Sequence, residues 1–375
     1  MSDSSGGAPA QCATADVADA ADAACEAALA DLELEVALGA VLDADGAAAR
    51  DGLRAAVAEA RERRPPPVAR AWGGLGRPDF GALAAADPRL KPYVAIDSQG
   101  RARIDFSDGA ATRALVAALL RAAFAVEWWV PAGALVPPVP SRVEYLDVVA
   151  RLLAQVAPEG VSVGGGAETL APPFSPPTIL DVGVGANAIY CLLAAARGWR
   201  AVGLDAARAA LAGAAANLSR NPALAPRITL RACPSPDFAA VGILPHGLRA
   251  GDPVVAACVC NPPFFESASA RAATARASSD YGGTPAETVC VGGEVAFVGR
   301  LVEESEEFKE KIVWFSAMLG RKASLSTLKR SLAALDPAPS IRVVEMRAGG
   351  GRTARWVLAW TWWARAARRR THEAT

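Results

Sequence analysis

Several short apolar runs end at a turn signal, which is the pattern of buried parallel strands. The clearest runs are residues 178–182, 201–204, 228–230, 254–260 and 312–319. Stretches with apolar residues at helical spacing lie between them, for example residues 206–217 and 324–334. Strands that alternate with helices predict an α/β fold with a parallel, doubly wound, Rossmann-like sheet.

The end of the chain has a different pattern. Two strand-like runs, residues 341–347 and 354–363, flank the three glycines at residues 349–351. Glycines between two apolar runs are a hairpin signal. We therefore expect the parallel sheet to be extended by a C-terminal antiparallel hairpin.

Before the sheet, residues 71–154 predict a small α+β module. Short strand-like runs at residues 93–96 and 102–106 flank a turn, and Ser107 or Asp108 would cap the helix that follows. Arginines and aromatic residues are interspersed through this module, which suits contacts with RNA backbone and bases. Alternatively, the aromatic residues form a small core and the arginines face solvent.

Composition narrows the class of protein. The chain has 375 residues, 52% of them hydrophobic, which is enough for one large domain with added segments. No uncharged apolar run reaches the length of a membrane span, and the N-terminus lacks a signal-peptide pattern. Seven scattered cysteines and only two histidines argue against disulfides, structural zinc and a serine–histidine triad. The sequence predicts an intracellular protein, nuclear or cytoplasmic, without a metal, and leaves the oligomeric state open.

Charge is uneven along the chain. Basic and acidic residues each number 39, but residues 1–60 hold 12 acidic and two basic residues. We interpret residues 1–70 as an acidic, largely disordered extension and linker, because they are rich in alanine, aspartate and glycine and end in a proline run. The rest of the chain is basic, which suits a polyanionic partner, although an ordinary solvated surface would have the same composition.

The most informative stretch is Asn261-Pro262-Pro263-Phe264, directly after the 254–260 run. In open α/β sheets, ligands bind at the carboxyl ends of the strands. The exocyclic amine of a base is a poor nucleophile because its lone pair is delocalised into the ring. Two acceptors for its N–H groups would localise the lone pair on the nitrogen. The Asn261 side-chain oxygen and the Pro262 carbonyl could be these acceptors. The two prolines stiffen the turn, and Phe264 offers a face for stacking. The motif indicates methyl transfer to an amino nitrogen; alternatively, it is only a turn.

The glycine bend, residues 183–187, follows the first strand of the sheet. Gly183 and Gly185 let the backbone pass close to a ligand, and Asn187 precedes the next helix. Asp205 ends the second strand about 20 residues later, where an acid binds ribose hydroxyls. Because neither a phosphate-binding Lys-Ser/Thr pair nor a third glycine follows, the bend favours S-adenosylmethionine over ATP or NAD.

In their order, these motifs resemble the RNA adenine-N6 methyltransferases. That family includes the bacterial 23S ribosomal RNA enzyme and the eukaryotic methyltransferase-like protein 16, which methylates U6 small nuclear RNA. The likeness is carried by Arg77-Pro-Asp-Phe80, Ile104-Asp-Phe106, Val136 to Arg142 with Tyr145, Asp181 to Tyr190, Asn261 to Phe265, Gly292-Gly-Glu294 with Phe297, Trp314 to Lys322, and Gly351 to Trp356 with Ala359-Trp360. The resemblance implies a class I methyltransferase domain in residues 155–375, preceded by a basic RNA-binding module in residues 71–154.

The resemblance also implies roles for single residues. Cofactor binding would involve Arg142, Gly183, Gly185, Asn187, Asp205, Asp237 and Asn261. Catalysis would involve Asn261, Pro262, Pro263 and Phe264. The implied reaction moves a methyl group from S-adenosylmethionine to the N6 amine of an adenosine that a structured RNA leaves exposed.

Two other functions stay open at this point. A chain of this fold could methylate a glutamine side chain or DNA, or it could be a catalytically silent RNA-binding relative. The basic module argues against the first alternative, and the intact Asn261 motif and glycine bend argue against the second. The acidic residues 1–60 and the short segment after the hairpin depart from the family, and they leave the choice of RNA open.

Overall fold

The structure is a computed structural model, and it describes residues 78–154, 176–274, 282–347 and 354–363. The strands are β1 (Val94–Ile96), β2 (Ala102–Ile104), β3 (Thr178–Val182), β4 (Arg200–Asp205), β5 (Ile228–Ala232), β6 (Val255–Cys260), β7 (Ile312–Leu319), β8 (Ser340–Met346) and β9 (Arg355–Thr361). The helices are α1 (Phe80–Ala86), α2 (Gly109–Phe124), α3 (Val139–Ala154), α4 (Ile189–Ala196), α5 (Arg208–Ser219), α6 (Phe238–Val241), α7 (Leu244–Gly247), α8 (Ala268–Thr274), α9 (Pro285–Thr288), α10 (Gly293–Ser305) and α11 (Lys322–Ala333). The predicted acidic extension and the glycines of the C-terminal hairpin lie outside the described residues.

Seven strands form the central sheet in the order β5-β4-β3-β6-β7-β9-β8. β3 pairs in parallel with β4 on one side and with β6 on the other, and β6 pairs in parallel with β7. β9 runs antiparallel to both β7 and β8. The predicted doubly wound sheet with a C-terminal antiparallel hairpin is confirmed.

The alternation of side chains along the strands explains how both faces of the sheet are covered. In β6, Ala257 and Val259 pack into one core, whereas Cys258 and Cys260 pack into the other. Helices α3, α4 and α5 cover the first face, and α10 and α11 cover the second. Because both faces are buried, these strands are largely apolar on both faces, which is why they can be predicted from the sequence.

The order of the strands reverses beside β3. The chain continues from β3 to β4 and β5 on one side and then crosses to β6 on the other side. Val182 at the end of β3 is level with Leu204 in β4 and with Cys260 in β6. In sheets of this kind, the crevice at such a reversal is the usual place for a ligand.

The residues before the sheet form a small α+β unit around the antiparallel hairpin of β1 and β2. The Asp108 carboxylate caps α2, as predicted, by accepting the Ala110 N–H at 2.7 Å. Helix α3, which belongs to the predicted 71–154 module, also contacts the sheet, because the Tyr145 hydroxyl lies 2.9 Å from Ser316 Oγ on β7. The domain boundaries themselves stay predictions.

The stretch from residue 265 to 291 has little hydrophobic pattern in its sequence, which predicts a mobile loop beside the substrate pocket. Its described residues include the short helices α8 and α9, which that pattern does not predict. Helix α9 begins with a capping box in which Thr284 and Glu287 satisfy each other's backbone N–H groups. This spacing is a local helix signal that is present in the sequence. Among the described helices, none is long and apolar enough to cross a bilayer.

Candidate active site

Three adjacent strand ends form the candidate active site. β3 leads into the glycine bend, β4 ends at Asp205, and β6 leads into residues 261–264, which we name the catalytic turn after their predicted role. β3 lies between the other two strands, and neighbouring strands are about 5 Å apart. The bend, the acid and the catalytic turn therefore meet at one edge of the sheet.

The backbone of the glycine bend explains its composition. Gly183 and Gly185 have φ angles of 78° and 62°, a region that residues with a Cβ rarely adopt. Gly183 is exposed, and a Cβ built on it would meet no atom within 4 Å. The bend therefore borders open space on the side where a ligand would lie.

Asp205 is hydrogen-bonded to the glycine bend. Its Oδ2 accepts the Gly185 N–H at 2.9 Å, and its Oδ1 accepts the Ala207 N–H at 2.9 Å. Burial raises the pKa of Asp205; the backbone N–H donors oppose this rise, and the charge of Glu287 adds to it. An acid held in this way beside the bend can accept hydrogen bonds from ribose hydroxyls.

Asn187 closes the bend, and its polar groups are used within the fold. Its Oδ1 accepts the Ile189 N–H at 3.1 Å, and its Nδ2 donates to the Leu135 carbonyl at 3.4 Å. The Trp128 indole donates to the Asn187 carbonyl at 3.0 Å. These contacts fix the shape of the bend, and a contact between Asn187 and the cofactor stays a prediction.

Asp181 lies in β3 directly before the bend and is fully buried. Burial raises its pKa to about 7, and the charge of Asp205 adds to the rise, while the Cys191 thiol and the charge of Arg142 oppose it. Cys191 Sγ is 3.7 Å from Oδ2, whereas Oδ1 has no hydrogen-bond partner within the described residues. The strand that carries the bend therefore holds a carboxyl group that ionises near neutral pH.

The catalytic turn is fixed by an arginine from a distant helix. Arg142 lies in the first turn of α3 and is only 6% exposed. Its Nη1 donates to Asn261 Oδ1 at 2.9 Å and lies 3.1 Å from Met318 Sδ. Because arginine can only donate, the atom of Asn261 that faces it must be the amide oxygen. That oxygen keeps a second lone pair for another donor.

The end of β6, directly before Asn261, is hydrogen-bonded to a buried tyrosine. The Cys260 N–H donates to the Tyr145 hydroxyl at 3.3 Å, and Ser316 Oγ donates to the Cys258 carbonyl at 2.8 Å. The Tyr145 hydroxyl and Ser316 Oγ are themselves hydrogen-bonded. The sequence indicates Tyr145 only as part of the family motif, whereas in the structure its hydroxyl is bonded to the end of β6.

Phe264 lies in a pocket formed by three other segments. A Cβ on Gly320 would lie 3.0 Å from its ring, and the Arg355 guanidinium lies 6.0 Å from the ring centroid. Glu294 is 2% exposed and accepts the Gly320 N–H at 2.8 Å. The other carboxylate oxygen of Glu294 is buried and has no hydrogen-bond partner among the described residues. The sequence alone indicates no role for Glu294, although the residue belongs to the Gly292-Gly-Glu294 motif.

The remaining predicted residues have different positions. Pro262 is buried and Pro263 is half-buried within the catalytic turn. Asp237 is exposed, and its carboxylate caps α6 by accepting the Ala240 N–H at 3.2 Å. The structure thus brings together the predicted residues at the ends of β3, β4 and β6, whereas a contact between Asp237 and a cofactor stays a prediction.

These residues fit S-adenosylmethionine. The open side of Gly183 leaves room for a ligand, and the Asp205 carboxylate beside it suits the ribose. The adjacent catalytic turn presents an amide oxygen and an aromatic ring, which suit a planar base that bears an amine. Within the described ranges, no group of three or more histidine, cysteine, aspartate or glutamate side chains could hold a metal ion.

Comparison with known proteins supports the resemblance. A family described as RNA methyltransferase matches residues 73–364. Ribosomal RNA large subunit methyltransferase F of Shewanella amazonensis is 36% identical over 305 residues, covering 75% of this chain and 88% of the relative. The protein of the same name from Pseudomonas aeruginosa is 37% identical, covering 77% of this chain and 85% of the relative.

Solved structures of human METTL16 are also similar to this chain. The catalytic domain of human METTL16 in complex with the MAT2A 3′UTR hairpin 1 has a TM-score of 0.63 and 31% identity, covering 76% of this chain and 91% of that chain. The N-terminal domain of human METTL16 in complex with S-adenosylhomocysteine (SAH) has a TM-score of 0.60 and 29% identity, covering 76% and 95%. The predicted resemblance is confirmed, and the chain belongs to the family of S-adenosylmethionine-dependent RNA methyltransferases.

Proposed function

We propose that this enzyme methylates the N6 amine of an adenosine in large-subunit ribosomal RNA. The observation that carries the proposal is the juxtaposition of the glycine bend and the catalytic turn on adjacent strand ends, with Arg142 holding the Asn261 oxygen at 2.9 Å. The curated relatives described above are large-subunit ribosomal RNA methyltransferases, which supports the choice of RNA. They are bacterial, so they support action inside the cell but give no support for the nucleus.

The side chains of the enzyme position the adenine amine that accepts the methyl group, and no side chain is needed as a general base before the transfer. When bound, S-adenosylmethionine would supply an electrophilic methyl group and leave as S-adenosylhomocysteine, and the amine would lose one proton to solvent after the transfer. The Asn261 oxygen and the Pro262 carbonyl accept the two N–H groups of the adenine amine, which directs the nitrogen lone pair at that methyl group. Phe264 stacks on the ring. Proximity and orientation then supply most of the rate enhancement.

The target adenosine must leave its helix before it can reach this crevice. A stacked and paired base hides the amine edge, so the RNA has to present the base from a loop or flip it out. The structured hairpin bound to human METTL16 agrees with this requirement for that protein. We therefore expect a folded RNA segment, not an unstructured strand, to be the substrate.

We assign the first contact with the RNA backbone to the basic module, residues 71–154. Part of its charge is already neutralised, because Arg101 and Arg103 both pair with Asp97, at 3.0 and 2.8 Å. Arg121 pairs with Glu127 at 2.6 Å. The attraction between the module and RNA is therefore weaker than its arginine count suggests, and it should fall steeply with added salt.

The direct test is methyl transfer from tritiated S-adenosylmethionine to total RNA, with and without ribonuclease, followed by nucleoside analysis. We expect ribonuclease-sensitive label in N6-methyladenosine of the large-subunit RNA, and labelling that is about 10²- to 10³-fold slower with Asn261→Ala. Label in DNA or in protein glutamine, each offered in a parallel reaction, would contradict the proposal. Failure of the wild type to bind S-adenosylmethionine would instead indicate a silent RNA-binding protein.

A further inference from the structure

The chain segment behind the catalytic turn folds back onto it. The Phe265 N–H donates to the Thr288 carbonyl at 3.0 Å, and the Cys290 N–H donates to the Phe265 carbonyl at 2.9 Å. Phe265 and Val289 form a parallel bridge. The return segment, residues 284–290, is therefore attached to the residue directly after Phe264.

Glu287 in this return segment reaches towards the cofactor side of the site. Its carboxylate accepts the Leu135 N–H at 3.1 Å and the Thr284 N–H at 2.8 Å. The Leu135 carbonyl in turn accepts from Asn187 Nδ2 at 3.4 Å. A chain of hydrogen bonds thus runs from the glycine bend through Leu135 and Glu287 to the return segment.

The same carboxylate faces the glycine bend directly. Its Oε1 lies 3.9 Å from the position that a Cβ on Gly185 would take, and the Gly185 N–H is bonded to Asp205. After burial, which has the largest effect, the charge of Glu287 also raises the pKa of Asp205. Two carboxylates therefore act on each other across the bend.

The contact between these segments leaves little room for relative movement. The Gly283 N–H donates to the Gly133 carbonyl at 2.9 Å. A Cβ on Gly282 would lie 2.6 Å from the Ala134 carbonyl oxygen, which only glycine avoids. Residues 133–134 and 282–283 are therefore held together directly before the return segment, and Glu287 adds the contact with Leu135.

We propose that Glu287 is a positioning residue that couples the cofactor bend to the catalytic turn. The inference rests on the proposed function, because it places a cofactor at the bend. Occupation of the bend fixes Glu287, the return segment and Phe265 in turn, and so fixes the catalytic turn. Such coupling is reciprocal, so RNA in the catalytic turn must tighten cofactor binding by the same factor.

The experiment uses the full chain and three variants. Glu287→Gln removes the charge and weakens the hydrogen bonds to Leu135 and Thr284. Thr284→Ala breaks the cap of α9 but leaves the contact between Glu287 and Leu135. Glu266→Gln changes an exposed carboxylate next to the catalytic turn and serves as the matched surface control. The dissociation constant of SAH is measured by calorimetry with and without transcribed large-subunit ribosomal RNA, and thermal midpoints check folding.

We expect Glu287→Gln to weaken SAH binding about tenfold, as for loss of a hydrogen bond to a charged group. We also expect RNA to lose its tightening effect on this variant, whereas Thr284→Ala and Glu266→Gln behave like the wild type. The proposal is overturned if Glu287→Gln binds SAH, and responds to RNA, as the wild type does. It is also overturned if Thr284→Ala loses as much affinity as Glu287→Gln, because Glu287 would then act only through the cap of α9. Absence of SAH binding by the wild type would instead count against the proposed function.

Discussion

The two halves of the proposed active site, one for the cofactor and one for the methyl acceptor, are built from different groups. The cofactor half uses backbone and one acid, and its members, the glycine bend and Asp205, lie close together in the sequence. The acceptor half collects side chains from distant elements: Arg142 on α3, Asn261 after β6, and Glu294 on α10. Local sequence therefore specifies the cofactor half, and the topology of the sheet specifies the acceptor half.

This difference implies that the two halves can be damaged separately. Substitutions at the bend should weaken cofactor binding and leave turnover at saturating cofactor largely intact. Substitutions around the catalytic turn should lower turnover and leave the cofactor bound. A variant that changes both quantities equally would show that the halves act as one unit.

The largest effect is expected at the acceptor half. Asn261→Ala removes the side-chain oxygen that would hold the amine, so we expect kcat to fall about 10²- to 10³-fold, as for loss of one preorganised polar group. The fold should be retained, because Arg142 also contacts Met318. Single-turnover transfer to RNA measures the loss, and SAH calorimetry is the control. Near-normal methylation by this variant would refute its catalytic role.

The second largest effect is expected at the cofactor half. Asp205→Asn replaces one acceptor oxygen by a donor, which cannot satisfy both the Gly185 and the Ala207 N–H groups. We expect SAH to bind about 10- to 100-fold more weakly, because a charged hydrogen-bond acceptor is lost beside the bend. Turnover at saturating cofactor should stay within a few-fold of wild type. An unchanged dissociation constant would remove Asp205 from the cofactor half.

The sequence predicts the cofactor half well because its signals are local. Buried parallel strands are nearly continuous apolar runs, so the sequence predicts β3, β6 and β7. A positive φ favours glycine, so the bend was visible too. The position of the catalytic turn at a strand end followed from the same pattern.

The acceptor half is harder to predict because its partners are far apart in the chain. Arg142 and Asn261 are separated by 119 residues, and no local pattern indicates their hydrogen bond. The proline run at residues 137–140 predicts a stiff connector, but α3 already begins at Val139, since proline is tolerated in the first turn of a helix. The contacts of the return segment and of Glu287 could not be predicted either, because the composition of this stretch is that of a loop.

A subtler variant tests whether geometry or charge matters at Arg142. Arg142→Lys keeps the positive charge but replaces the planar guanidinium by a single ammonium group, which cannot reproduce the contacts with Asn261 and Met318. We expect kcat to fall about tenfold, the size of a loss of orientation rather than of a whole polar group. Arg151→Lys in the last turn of the same helix is exposed and should have no effect. Equal activity of the two variants would show that charge alone suffices.

The smallest effect, a few-fold change, is expected from pH. The titratable groups that face Asp205 are Asp181, Cys233 and Glu287. Burial, and then Glu287, raises the pKa of Asp205, and the ionised form is the stronger acceptor for both backbone N–H groups. SAH binding should therefore be complete above that pKa and weaken as the pH falls through it.

Folding stability should respond to Asp205 with the opposite sign. A carboxyl group whose pKa is higher in the folded than in the unfolded state contributes stability below the unfolded pKa, and this contribution is lost as the pH rises through the folded pKa. Acidification should thus weaken SAH binding without destabilising the free enzyme through this residue. Calorimetry and thermal melts from about pH 5 to 8 separate the two responses. Asp205→Asn should remove the pH dependence of the SAH dissociation constant, whereas Asp181→Asn should retain it. A pH-independent dissociation constant in the wild type would show that the cofactor half does not depend on an ionised acid.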